Sequence, residues 1–309
     1  MTSEAQAISA PARTSARSRN FLTRWWRSPW RKPRVLEAIT WGYLAWSLLP
    51  VMVAIIFSFN AGRSRSSWQG FSLQWWWVAD PRDTEALVHR PDLTHAMFQS
   101  VFLSLMTMAI AVPLGVLFAI GLDRWRGRGS GVSNFAMLFS FVIPEIILGV
   151  SLYLLFTTTL RFLGLGTPAQ IIGLVTFQVS YPVIIVRARL LTIGKEFEEA
   201  AMDLGAKPTQ AVRRILLPLL YPAIFASFAI VFADSIDDFV TVSALSQNAS
   251  TDTLAIKIYQ ISRGSPTPAV NAAATVMLLT TLTVIALGLL AYRRFNRGQG
   301  AGVAGFAQL

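Results

Sequence analysis

The sequence predicts an all-α membrane protein that crosses the bilayer six times. Of its 309 residues, 53% are hydrophobic and only 14% are charged, and the mean hydropathy is +0.50. Since an average soluble domain has about 25% charged residues, an ordinary water-soluble enzyme is excluded. The apolar residues also form six runs of roughly 20 residues, the length that a helix needs to cross a bilayer. These runs are 40–59, 97–122, 134–160, 168–186, 216–239 and 270–292.

The fourth run is the least regular of the six. Gln178, Ser180, Tyr181 and Pro182 interrupt its apolar residues. Because proline has no N–H, the carbonyl one turn before Pro182 loses its helical hydrogen bond. Lipid cannot satisfy such a carbonyl, whereas a neighbouring helix or a polar cavity can. We therefore expect the fourth span to face protein.

The positions of Lys and Arg predict the orientation. With a cytoplasmic N-terminus, the inner segments hold 20 of the 27 basic residues and the outer segments hold seven. This excess follows the positive-inside rule, places both termini in the cytoplasm, and explains the net charge of +11 without any nucleic acid. We predict a basic cytoplasmic tail at 1–39, a six-span domain at 40–292 and a cytoplasmic tail at 293–309. Aromatic and basic residues alternate over 20–34, which is typical of a segment lying on the inner leaflet.

Few side chains are suited to catalysis or metal binding. The sequence has no Cys, which excludes disulfides, thiolate metal sites and a Cys nucleophile. Its two histidines, His89 and His95, lie in a polar stretch and are expected to be solvated. The Gly-Lys pair ending at Lys195 is followed by Glu196 rather than Ser or Thr, so it is not a P-loop. We expect no catalytic residue, metal or cofactor in this chain.

The cytoplasmic loop 190–218 carries the most specific pattern. Apolar residues recur at helical spacing between positions 197 and 204 and form one face. Gly205 follows directly, at a helix end where a left-handed conformation favours glycine, and Pro208 suits the first turn of a second helix. Such a short helix cannot bury its apolar face within its own loop. It is therefore expected to dock on a partner.

Residues 199–218 read EAAMDLGAKPTQAVRRILLP, which resembles the EAA loop of membrane-spanning permease subunits of bacterial ATP-binding-cassette (ABC) importers. The resemblance implies the MetI-like fold of type I importers, in which this loop forms a coupling helix that sits in a groove of the ATP-binding subunit. One departure is Lys207, where Ser is commoner and caps a helix better. The residues that the motif assigns to coupling are Glu199, Ala200, Ala201, Gly205, Ile215, Leu217 and Pro218.

Four carboxylates fall inside the predicted spans. A charged side chain at the bilayer centre costs about 2.5–3.5 kcal/mol on insertion scales, so each is a candidate functional residue. Glu145 lies near the middle of the third run, and Asp234 shares a helix face with Asp237 and Asp238. A cationic cargo would neutralise them; alternatively, Asp237 and Asp238 cap the helix end or contact Lys257. With Tyr181, whose ring can contact a cation, the candidate pathway residues are Glu145, Asp234, Asp237, Asp238 and Tyr181.

Further stretches are similar to the spermidine/putrescine-type branch of this family, particularly its second permease. They are 68–76, 234–240, 253–259 and 271–275, within a similarity that extends over about residues 40–295. The resemblance implies a polyamine cargo, which agrees with an acid-lined pathway. Thiamine, ferric iron and opine-like solutes remain open as cargoes, as does a secondary cation transporter that uses the same acids as proton relays.

The resemblance also implies the partners. We expect a second, related permease subunit, a dimer of ABC subunits that bind ATP and Mg on the cytoplasmic side, and an extracytoplasmic solute-binding protein on the outer side. The chain itself would be a multi-pass protein of the cell membrane. Four tryptophans in the outer segment, Trp68, Trp75, Trp76 and Trp77, predict an aromatic belt at the outer interface.

Overall fold

The computed structural model describes residues 34–64, 67–77, 86–124, 127, 131–133, 135, 142–264 and 267–297. Within these ranges the chain is helical; it has no β-strand, and Asn60 and Phe71 form an isolated antiparallel bridge. The interfacial segment predicted at 20–34 lies outside the described residues except for Arg34, and so does the C-terminal tail beyond Arg297.

The described ranges contain long helices, several of which are joined by short connections, and shorter helices between them. In chain order they are α1 (Arg34–Phe57), α2 (Pro91–Arg124), α3 (Glu145–Leu154), α4 (Thr167–Gln178), α5 (Ser180–Ile193), α6 (Glu196–Asp203), α7 (Pro208–Ala211), α8 (Leu217–Ile236), α9 (Val240–Leu245), α10 (Leu254–Arg263) and α11 (Pro268–Arg297). A 3₁₀ turn at Leu87–His89 precedes α2, and π-helical turns follow α3 at Leu155–Thr159 and α7 at Val212–Leu216. By its contacts, the chain divides into two compact units, Met1–Val51 and Met52–Leu309.

Five of the six predicted spans correspond to helical stretches of the described chain that are long and apolar enough to cross a membrane. These stretches are Val35–Phe57, Pro91–Arg124, Thr167–Ile193, Pro208–Ile236 and Pro268–Arg294. The all-α fold class is therefore confirmed, although most of the helices extend beyond the predicted ends and those ending at Phe57 and Ile236 stop short of them.

The third span is predicted as one continuous helix, and the structure differs. Its described apolar helix covers only Glu145–Thr159, because the helix is interrupted at Ile143 and Pro144. A proline disfavours the helical conformation of the residue before it, so Ile143 cannot easily continue a helix into Pro144. Glu145 is consequently the first residue of α3 rather than a residue within an unbroken span.

The fourth span consists of α4 and α5, which meet at Val179. Gly115 of α2 lies against this junction, since a Cβ atom built there would be 2.4 Å from Cγ of Pro182. An 18-residue apolar stretch of the fourth span is 56% buried, the largest share among the five long stretches of the described chain. The expectation that this span faces protein is confirmed.

The main core of the second unit lies between α2, α5 and α8. Lipid is as apolar as these side chains, so close packing rather than escape from water holds such helices together. Buried residues that form this core include Ala111, Val112, Val116, Val183, Val186, Leu190, Leu220 and Val231.

A second cluster of buried side chains corrects the prediction of an aromatic belt. Trp75 is only 3% exposed, packs with Leu87 and Leu93, and donates a hydrogen bond from Nε1 to the carbonyl of Asn60. Trp68 and Trp77 are exposed, as a belt requires. The prediction of an aromatic belt is therefore wrong for Trp75, which is buried and whose indole N–H forms a hydrogen bond within the chain.

Candidate functional site

The structure brings the five predicted pathway residues into one region. Asp234 lies in the last turn of α8, and Asp237 and Asp238 follow where that helix ends. Glu145 begins α3, and Tyr181 lies in the first turn of α5. The charge of Glu145 acts on Tyr181, Asp237 and Asp238, and that of Asp234 acts on Tyr181 and Asp237. The residues are thus close enough for their charges to interact.

Asp234 links α8 to the bend in the fourth span. Its Oδ2 accepts a hydrogen bond of 2.7 Å from Nε2 of Gln178, and its Oδ1 accepts one of 3.4 Å from the hydroxyl of Tyr181. Gln178 is completely buried. The sequence marks Gln178 only as an interruption of an apolar run. A polar side chain inside a span, four residues before a proline, is the signal that could have singled it out.

Asp238 is held by backbone groups. Its Oδ1 accepts hydrogen bonds from the N–H of Thr241 at 3.0 Å and of Val242 at 3.2 Å, which belong to the first turn of α9. Asp238 therefore caps the start of α9 and not the end of the fifth span, which is the helix end considered from the sequence alone. Asp237, in contrast, is exposed.

Glu145 is exposed at the start of α3, where the partial positive charge of a helix N-terminus favours an acidic side chain. No described residue donates a hydrogen bond to it or forms an ion pair with it. Across the described ranges, Lys and Arg also form no ion pair with Asp234, Asp237 or Asp238. The four carboxylates therefore lack a cationic side-chain partner in this part of the chain.

Lys257, the alternative partner of Asp237 and Asp238, pairs with Asp252 instead, at 2.8 Å. Ser246 also donates to the Asp252 carboxylate, at 2.8 Å. Burial raises the pKa of Asp252, but the hydrogen bonds from Lys257 and Ser246 outweigh burial, so the pKa lies below its usual 3.8. Asp252 also lines an open depression of about 480 Å³ between α9 and α10, beside Tyr259 and Gln260.

The cytoplasmic loop contains the helix, turn and second helix that its sequence predicts. Helix α6 ends at a left-handed turn in which Gly205 has φ of +89° and donates a hydrogen bond to the carbonyl of Met202 at 2.9 Å. Pro208 begins α7. The N–H of Lys207 donates a hydrogen bond of 3.0 Å to the side-chain oxygen of Gln210. Gln210 thus supplies part of the helix cap that Lys207, unlike Ser, was not expected to provide.

The predicted coupling residues occupy two parts of this loop. Ala201 is 7% exposed and packs inward, whereas Phe197 and Leu204 are 47% and 91% exposed. The predicted apolar face is thus only partly covered within the described chain. Glu199, Ala200 and Gly205 are exposed on or beside α6, and Ile215, Leu217 and Pro218 are half-buried where the loop joins α8.

An ion pair connects α6 to α2. Arg124, the last residue of α2, pairs through Nη2 with Glu198 and through Nη1 with Asp123, the latter at 2.7 Å. The side chain of Glu198 is only 10% exposed. The two partners are 74 residues apart in the chain, so helical spacing gives no indication of the pair.

Comparison with known proteins agrees with this architecture. Residues 111–299 match the family of binding-protein-dependent transport system inner membrane components. The spermidine/putrescine transport system permease protein PotC of Haemophilus influenzae is 32% identical over 252 residues, 82% of this chain and 94% of the relative. The putrescine transport system permease protein PotI of Escherichia coli K12 is 34% identical over 261 residues, 82% of this chain and 86% of the relative.

Solved structures show the same fold at lower identity. A chain of a bacterial ABC transporter involved in the import of the acidic polysaccharide alginate aligns with a TM-score of 0.65 and 18% identity, covering 88% of this chain and 97% of that one. A chain of the MetNI methionine ABC transporter aligns with a TM-score of 0.51 and 20% identity, covering 67% and 93%.

The fold, the loop and these similarities define a class: the chain is a multi-pass permease subunit of an ABC importer, and not an enzyme. It belongs to the family of binding-protein-dependent transport system inner membrane components. The resemblance to spermidine/putrescine-type permeases that the sequence motifs indicated is confirmed.

Proposed function

We propose that this permease forms part of the translocation pathway for a small organic cation, and that the cation is a polyamine such as putrescine or spermidine. The observation that carries the proposal is the group of four interacting carboxylates, which lacks a Lys or Arg partner among the described residues. The relatives named for spermidine and putrescine transport support it.

The geometry favours a cation with several charges. Like charges in a medium of low dielectric constant repel strongly, and a passing cation relieves that repulsion. Asp238 already caps α9, so Glu145, Asp234 and Asp237 are the carboxylates most able to contact cargo. They come from two different spans, as expected for the walls of a pathway. A flexible chain of methylenes carrying protonated amines can meet several such acids in turn.

We further propose that α6 is the coupling helix of the transporter. The exposed side chains of Phe197 and Leu204 provide an apolar surface for a groove on an ATP-binding subunit, which binds ATP and Mg. A second permease would complete the pathway, and a solute-binding protein would deliver cargo at the outer face. The 20 to 7 division of basic residues supports cytoplasmic termini in a cell-membrane protein.

Uptake of labelled putrescine and spermidine tests the cargo. A bacterial strain without its own polyamine importers would express this permease with its partner subunits. Uptake should require ATP, and Glu145→Gln should raise the half-saturation constant severalfold because a carboxylate of the pathway loses its charge. Glu37→Gln, which removes an exposed carboxylate at the start of α1, serves as the matched control.

Three outcomes of this uptake assay would contradict the proposal. Competition by thiamine, ferric iron or an opine, without any by polyamines, would identify another cargo. Uptake that continues without ATP but stops with an ionophore would indicate a secondary transporter. An unchanged half-saturation constant in Glu145→Gln would remove Glu145 from the pathway.

A substitution at Gly205 tests coupling. Gly205→Val forces a left-handed backbone onto a side chain that rarely adopts it, which distorts the end of α6. Membrane insertion should be normal, and ATP-dependent uptake should be lost. Gly164→Val is the matched control, since Gly164 also has positive φ and open space within 4 Å of where its Cβ would lie, but is outside the loop. Normal uptake by Gly205→Val would contradict the coupling role.

A further inference from the structure

We propose that Asp234, Gln178 and Tyr181 together form a seat for a primary ammonium group, the chemical end of an unmodified polyamine. The inference rests on the proposed function, which supplies the cationic cargo, and adds which atoms recognise it and which cations it admits. It also assigns a binding role to Gln178, which the EAA motif and the acidic residues alone did not indicate.

The orientation of Gln178 is the first observation. Its Nε2 donates to Oδ2 of Asp234 at 2.7 Å. An ionised carboxylate only accepts hydrogen bonds, so the amide cannot be turned round without losing this contact. The amide oxygen Oε1 is completely buried and has no hydrogen-bond partner in the described part of the chain.

An unpaired buried acceptor is unusual. More than nine in ten buried polar groups have a partner, so one without a partner requires an explanation. Gln170 shows the ordinary situation on the same helix, since it is equally buried but donates to the carbonyls of Thr251 and Val242 and accepts from Gln99. Gln178 differs from Gln170 in having an unpaired acceptor on an amide whose N–H donates to a carboxylate.

The acceptor atoms of these three residues suit an ammonium group. A primary ammonium has three N–H donors, and three acceptors belong to residues that hydrogen bonds link to one another: the carboxylate of Asp234, Oε1 of Gln178 and the phenolic oxygen of Tyr181. The ring of Tyr181 adds a face for a cation, and an edge contact with Phe177 at 6.0 Å between ring centroids fixes its orientation.

Other cations fit this seat less well. Calcium takes six to eight oxygen ligands, and no cluster of three or more potential metal-ligating His, Cys, Asp or Glu side chains occurs in the described ranges. A quaternary ammonium has the charge but no N–H to donate.

Direct binding to the purified permease assembly, without the solute-binding protein, tests the seat. Putrescine and its fully methylated, doubly quaternary analogue are titrated while the thermal unfolding midpoint is followed. The intact permease should bind putrescine about tenfold or more tightly than the analogue, because the seat rejects a cation that cannot donate. Gln178→Leu should weaken putrescine binding about tenfold and leave the analogue unchanged, so that the preference largely disappears.

Two variants make the result specific. Gln170→Leu also removes a buried glutamine from α4, but it should keep the preference for putrescine whatever it does to stability. Tyr181→Phe retains the ring and removes one acceptor, so it should reduce the preference less than Gln178→Leu does. Should Gln178→Leu fail to fold, Tyr181→Phe still tests the seat, because an unchanged preference in that variant would overturn the three-acceptor arrangement.

The possible failures are distinguishable. An intact permease that binds neither cation would contradict the cationic cargo, and the proposed function would fall with the seat. Binding of both cations with equal affinity would overturn the seat alone and leave cation transport standing. A Gln178→Leu variant that folds and keeps the full preference would also overturn the seat.

Discussion

The contact between Gly115 and the bend of the fourth span gives a quantitative prediction. A Cβ atom at position 115 would lie 2.4 Å from Cγ and 2.8 Å from Cβ of Pro182, and 3.0 Å from the carbonyl oxygen of Val179. Ordinary contacts of this kind are near 3.4–4 Å, so α2 would have to move away from the bend by about an ångström. Overpacking a well-packed interior typically costs about 1–3 kcal/mol.

Gly121 provides the matched control. It lies in the same helix, and no atom is within 4 Å of a Cβ atom built there. Both Gly115→Ala and Gly121→Ala gain helix propensity, about 0.5–1 kcal/mol in each case. The difference between the two variants therefore isolates the contact with the bend, and Gly115→Ala should be less stable by about 1–3 kcal/mol.

Thermal unfolding of the purified protein measures this difference. One kcal/mol corresponds to about 2–4 °C in the unfolding midpoint for domains of 150–250 residues. Gly115→Ala should therefore unfold several degrees below Gly121→Ala, which itself should unfold at or slightly above the parent protein. Equal midpoints for the two variants would refute the close approach of α2 to Pro182.

Two ion pairs give the remaining predictions. Arg124→Glu should lower the ATP-dependent uptake rate about tenfold, because it leaves the buried carboxylate of Glu198 beside a like charge. The double variant Arg124→Glu, Glu198→Arg should restore most of that rate. If the double variant shows no rescue, the pairing is contradicted. Asp252→Asn should lower the free energy of unfolding by about 1–3 kcal/mol at neutral pH, since it removes the carboxylate that pairs with the half-buried Lys257. The folded-state pKa of Asp252 lies below 3.8, so the advantage of the parent should persist above that pH and fade as the pH falls through the folded-state pKa; a pH-independent difference would contradict it.

Local sequence chemistry predicts much of the fold. The length of the apolar runs locates five long helices, because a membrane span requires a fixed number of apolar residues. Gly205 predicts the end of α6, since glycine adopts a left-handed conformation without steric cost, and Pro208 predicts the start of α7, since proline fixes a helical φ. These features depend on residues close together in the chain and so can be derived from it.

Continuity of a span is harder to predict. A hydropathy window counts apolar residues and does not register a break, so it treats 134–160 as one helix even though Pro144 interrupts it. The same reasoning that applies to Pro182 in the fourth run also applies to Pro144, and it would have placed Glu145 at a helix start.

Contacts distant in sequence account for the rest. Gln178 and Asp234 are 56 residues apart, and Arg124 and Glu198 are 74 residues apart. Each pair depends on how helices pack, which no local periodicity encodes. The sequence predicts Asp234 as a pathway residue because a charge in a span is costly, but it cannot identify the amide that holds its carboxylate. The roles of the pathway and coupling residues remain predictions.

The ion pair at the end of α2 has a mechanical consequence. Arg124 joins α2 to α6 through its ion pair with Glu198. Gly115, roughly 13 Å from Arg124 along the axis of α2, lies against the bend that follows Gln178. An α-helix resists compression, so a push on α6 that preserves the ion pair shifts the segment of α2 between Arg124 and Gly115, which contains no proline. We expect the motion that an ATP-binding subunit imposes on α6 to reach the carboxylate of Asp234 through this segment of α2 and the bend of the fourth span.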